Sequence, residues 1–127
     1  MVFKPGKTSG IFEFFLLEVI DTPLVEKVRS ILMSVSLEGM LGDLEGLRDR
    51  PDSRPGLQNI HIPTLILHGA DDQIIPVQEA GEMQAAIPGA ILQVIPNAGH
   101  LLNMEQPEAF NTAVRSFLAG INPENSL

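Results

Sequence analysis

The chain has 127 residues, 44% hydrophobic and 19% charged, which suits one globular domain with a modest core. Its formal net charge of −8 repels phosphate backbones and anionic lipid, so nucleic acid and membrane surfaces are excluded as partners. With no cysteine it has no disulfide framework, thiol nucleophile or thiolate metal site.

Taken in chain order, the start Met1–Gly6 lacks a secretory pattern. Ile11–Ile20 is apolar almost all round but is interrupted by Glu13 and Glu18 and is too short to span a bilayer. A cytoplasmic protein is therefore expected. Thr22-Pro23 supplies an N-cap and a first-turn proline, after which Leu24, Val28, Ile31 and Val35 recur at helical spacing. Ser36 caps a second periodic stretch with the stripe Leu37, Met40, Leu41, Leu44 and Leu47, weakened as a helix by Gly39, Gly42 and Gly46. The polar segment Arg48–Gly56, with Pro51 and Pro55, reads as a loop between two halves, residues 1–50 and 51–127.

Beyond it the texture alternates. Thr64–His68 is a short apolar run between Pro63 and Gly69, a buried strand. Pro76–Ile87 reads as a helix with Val77, Ala80, Met83 and Ile87 on one face, ended by Pro88-Gly89. Ala90–Ile95 is a second strand, and Pro107 opens a last helix carrying Phe110, Val114, Phe117 and Leu118 and stopped by Gly120. Strand, helix, strand with short loops is a parallel βαβ unit of an α/β fold.

Asp72 and His100 each follow the carboxyl end of one of these strands, so both fall on the rim where open α/β sheets bind ligands. A carboxylate there can fix the tautomer of an imidazole and stabilise the imidazolium formed when it takes a proton. Gly69 permits a tight turn after the first strand, and Gly99 a bend before His100. The spacing alone also fits Asp72 as a turn residue and His100 as a loop histidine. Asp71 competes for the acid role. His68 reads as a hydrogen-bonded structural histidine, and His61 falls at the other end of the sheet, so the histidines form no metal constellation. No cofactor is implied.

From about Arg50 to Leu118 the chain resembles the C-terminal part of the α/β-hydrolase fold, closest to the 3-oxoadipate enol-lactonase-like and esterase branch. The residues that carry the resemblance are Arg50-Pro51-Asp52-Ser53, Ile62–Gly69, the spacing Gly69-x-x-Asp72-x-x-x-Pro76, and Asn97-Ala98-Gly99-His100 followed by Glu105-Gln106-Pro107-Glu108. The resemblance implies that Asp72 is the acid and His100 the general base of a Ser-Asp-His triad acting on a small ester or lactone. It also implies that Leu24–Leu47 is a remnant of the helical cap. The family's nucleophile elbow, Gly-x-Ser-x-Gly, does not occur in this sequence. Gly6-Lys7-Thr8-Ser9-Gly10 has a related form but lacks a preceding strand, and Ser30, Ser34, Ser36, Ser53 and Ser116 read as solvated or capping residues. Two functions follow as expectations: a hydrolase component inert without its serine, or a non-catalytic module derived from a hydrolase. Two evident strands leave an apolar edge at Thr64–His68, which predicts a homodimer or higher oligomer.

Overall fold

The computed structural model describes residues 22–121. The runs Gly6–Gly10 and Ile11–Ile20 lie outside the described residues. Helix α1 (Thr22–Ser34) includes Thr22 as its first residue, one position ahead of the start expected with Thr22 as N-cap, and α2 (Leu37–Asp49) follows after a two-residue break. Ser36 is the α2 N-cap: its hydroxyl accepts the Gly39 N–H at 3.1 Å, satisfying one of the donors that a helix start leaves unpaired. The glycines of α2 are therefore tolerated, but its leucine stripe is not covered. No residue of α2 is buried, and Leu44 is 57% exposed. In α1 Val28 is buried and Ile31 exposed, as is Val35 just after the helix.

The expected loop after α2 contains a 3₁₀ helix, Arg54–Asn59. Asp52 starts it by accepting the Arg54 N–H at 3.0 Å while pairing with the Arg54 guanidinium at 2.9 Å. Strand β1 (Leu65–Gly69) and strand β2 (Ile91–Ile95) pair in parallel, with Leu65 opposite Ile91 and Gly69 opposite Ile95. Each begins one residue later than the apolar run suggests. Thr64 still takes part, since its carbonyl accepts the Ile91 N–H at 2.9 Å. Helix α3 (Val77–Ala86) connects the strands, with Pro76 as its N-cap residue. A four-residue helix, α4 (Leu102–Glu105), precedes α5 (Pro107–Ile121), whose first residue lacks the N–H that would otherwise go unpaired and which runs through Gly120 instead of stopping there.

Helices α3 and α5 both pack on the strand pair, and α3 also contacts the 3₁₀ helix. The buried apolar residues of this unit are Ala80, Ile87, Ile95, Ala98 and Ala113, with Ile95 the largest side chain fully enclosed. The sheet is less covered than is usual for parallel strands: Ile91 and Val94 are exposed, and Leu65, Ile66 and Leu67 only half-buried. Among the described residues β1 and β2 form a two-stranded sheet. No described helix is long and apolar enough to cross a membrane.

Candidate active site

Because β1 and β2 run parallel in register, Gly69 and Ile95 end side by side and both following loops leave from one rim. The ladder continues past the strand ends: Ala70 donates to the Ile95 carbonyl and Asp71 to the Ala98 carbonyl, each at 2.9 Å. The acid loop and the histidine loop are thus zipped together at the backbone. Gly69 is required by this approach rather than by a turn. A Cβ there would sit 2.2 Å from the Gly99 carbonyl oxygen and 2.4 Å from that of Ala98.

Asp72 then folds back on its own loop. Its Oδ1 accepts the N–H groups of Ile74 and Ile75 at 2.8 and 3.0 Å, and its Oδ2 accepts from His100 Nδ1 at 3.0 Å. Asp72, not Asp71, is the partner of the imidazole. The carboxylate side chain is 5% exposed and the imidazole 34%. Burial pushes the Asp72 pKa up, but the Ile75 N–H, the His100 ring and the Ile74 N–H together outweigh it and hold the group below its ordinary value. A carboxylate only accepts, so Nδ1 carries the proton and the proton-accepting chemistry of the ring passes to Nε2.

His68, buried at the end of β1, donates from Nε2 to the Ile75 carbonyl at 3.1 Å. It therefore braces the residue whose N–H holds Asp72, consistent with its reading as a structural histidine. The histidine loop turns through Asn97, which adopts φ +54°, a left-handed conformation that asparagine tolerates. Gly99 does not have a positive φ, so the expected bend there is corrected. Its lack of a side chain makes room for Glu105, whose carboxylate oxygens would both lie 3.2 Å from a Cβ at that position. Glu105 Oε2 accepts the Gly99 N–H at 2.8 Å and Oε1 the Leu101 N–H at 3.0 Å, while Gln106 donates its amide to the Asn97 carbonyl at 2.9 Å.

Glu105 and Gln106 mattered in the sequence only as part of a resemblance, with no role attached. No capping box signals it, since Leu101 at the N-cap lacks a hydroxyl and Glu105 follows it by four residues rather than three. Leu101, Leu102 and Met104 are half-buried. The serines at 30, 34, 36, 53 and 116 are all exposed, Ser34 donating to the Ile31 carbonyl and Ser36 capping α2; Thr8 lies outside the described residues. His61 is exposed, and no group of three or more potential metal-ligating side chains occurs among the described residues.

Comparison with known proteins agrees with this geometry. The family model described as "alpha/beta hydrolase fold" matches residues 42–107, just over half of the chain. The chain is 38% identical over 103 residues to 3-oxoadipate enol-lactonase 2 of Acinetobacter baylyi, covering 80% of this chain and 38% of that one. A thermophilic esterase from Thermogutta terrifontis superposes with TM-score 0.75 at 40% identity, covering 77% of this chain and 36% of that one. An esterase from Exiguobacterium antarcticum gives TM-score 0.78 at 31% identity, covering 87% and 41%. The chain thus spans well under half the length of each of these relatives. With the family model matching over half of its residues and the backbone superposing on these relatives, the chain belongs to the α/β-hydrolase fold family.

Proposed function

We propose that this chain supplies the acid and the general base of a Ser-Asp-His triad that hydrolyses carboxylic esters or lactones. In this reading residues 1–50 are a cap remnant and residues 51–127 the catalytic portion, and the serine and oxyanion donors come from outside these 127 residues. The observation that carries it is the His100 Nδ1–Asp72 Oδ2 bond of 3.0 Å, made by a nearly enclosed carboxylate whose other oxygen is held by two backbone N–H groups. That arrangement fixes the tautomer in which Nε2 accepts the serine proton as Oγ attacks the acyl carbon. The imidazolium then returns the proton to the leaving alkoxide, and the cycle repeats with water to free the acid. The lactonase and esterase relatives support the substrate class. The cysteine-free, acidic composition suits a cytoplasmic setting.

Without a nucleophile or oxyanion hole the chain alone lacks both the covalent intermediate and the main electrostatic contribution to acyl transfer. The chain alone is expected to give no burst from short-chain nitrophenyl esters and no labelling by a fluorophosphonate. Mixed with an N-terminal hydrolase portion bearing Gly-x-Ser-x-Gly, it is expected to give a burst that His100→Ala abolishes. Stoichiometric labelling of the chain alone at one Ser or Thr, lost in His100→Ala, would instead reveal a complete enzyme.

A second reading, a non-catalytic self-associating module, is favoured by the half-exposed apolar strand pair and the uncovered stripe of α2. Here β1 pairs with its copy antiparallel across a two-fold axis to give a four-stranded sheet. Sedimentation as a compact monomer at micromolar concentration rejects this second reading.

A further inference from the structure

We propose that Glu105 is a positioning residue for His100, a role that rests on the triad reading. The two N–H groups that its carboxylate accepts, Gly99 at 2.8 Å and Leu101 at 3.0 Å, belong to the residues on either side of His100. Holding both neighbours restricts the direction in which the imidazole leaves the chain, and so the separation of Nδ1 from Asp72 Oδ2, 28 positions away in sequence. The clamp complements the bond from Asp71 to the Ala98 carbonyl, which holds the same loop from the acid side. Catalytic pairs lose function when displaced by about 0.5 Å, so a loop tethered on one side alone would not suffice.

The arrangement also explains two sequence features at once. Residue 99 is glycine because any Cβ would press on both carboxylate oxygens at 3.2 Å. Glutamate suits residue 105 because each N–H meets its own carboxylate oxygen, whereas glutamine in the same pose would turn its NH₂ toward one of them. Beyond capping the short helix α4, then, Glu105 sets where the base of the triad stands.

The test is the imidazole Nδ1–H resonance of the intact chain by proton NMR, assigned by its loss in His100→Ala. In Glu105→Gln its exchange with water is expected to quicken at least tenfold. Gln106→Ala, which removes the bond to the Asn97 carbonyl in the same loop, is expected to leave that exchange unchanged, separating positioning from general loosening. Should Glu105→Gln fail to fold, Gly99→Ala is read instead, since it displaces the carboxylate without changing its charge. Wild-type exchange in Glu105→Gln, or in Gly99→Ala where that variant is the one read, overturns the role of Glu105 alone. Equal acceleration in Gln106→Ala reduces Glu105 to a structural cap. A wild-type resonance that is absent, or that persists unchanged in Asp72→Asn, overturns the triad pairing itself.

Discussion

Helices α1 and α2 and the strand–helix–strand unit after them are equally regular in sequence, yet they bury their apolar residues very differently. The stripe of α2 has ideal helical spacing and a hydroxyl cap, and every leucine in it is exposed. The unit from β1 to α5 encloses Ile87, Ile95 and Ala98 and pins its loops by backbone bonds. Local signals suffice to form a helix, whereas burial needs a second surface. The difference leaves the stripe of α2 uncovered among the described residues, while the rim is already organised.

The sharpest way to break this contrast is Gly69→Ala. Its methyl group must displace the Ala98 and Gly99 carbonyls, so a loss of about 3 kcal/mol is expected in denaturant unfolding. A near-neutral result would mean that the two loops are not zipped as described.

Asp72→Asn keeps the shape but removes the charge, and a loss of about 2 kcal/mol at pH 7 is expected. Because the folded-state pKa of Asp72 lies below its ordinary value of 3.8, its contribution is complete above that value. As pH falls further, through the folded value, the contribution disappears. Wild type and Asp72→Asn should therefore converge in stability in acid, and parallel pH profiles would contradict the assignment.

Ser36→Ala removes the α2 cap, with an expected local cost of about 1 kcal/mol. Faster amide exchange confined to α2, with the unfolding of the β1–α5 unit unchanged, would sharpen the contrast; a global shift would blur it. The smallest effect belongs to Leu41→Gln and Leu44→Gln, each expected to change the stability of the isolated chain by less than about 0.5 kcal/mol. A large loss would show that the stripe is already covered.

The parts of the fold legible in the sequence are those that local rules govern. Runs bounded by proline and glycine gave both strands, and Pro76 and Pro107 gave the helix starts within a residue. The 3₁₀ helix at Arg54–Asn59 was hidden because Pro55 and Gly56 read as loop markers, and α4 is too short to show a period. At the site, Asp72 and His100 were legible because strand ends and parallel topology bring them to one rim. Gly99 was misread because its partner is a side chain folding back from position 105, a contact no propensity encodes. The exposure of α2 was equally illegible, since an amphipathic pattern names the face to be covered and not what covers it.

The backbone bonds from Ala70 and Asp71 have a consequence for inheritance. They close a stretch in which Asp72 and His100 are 28 positions apart, so the relative geometry of the pair is written into one short length of chain. Closing so short a loop carries little entropy penalty, each doubling of length adding only about 0.6 kcal/mol, and the contact is local on the scale of a whole hydrolase. A recombination event that moves this stretch intact moves the pair with its alignment. A crossover falling between Asp72 and His100 would separate the two residues and lose that alignment.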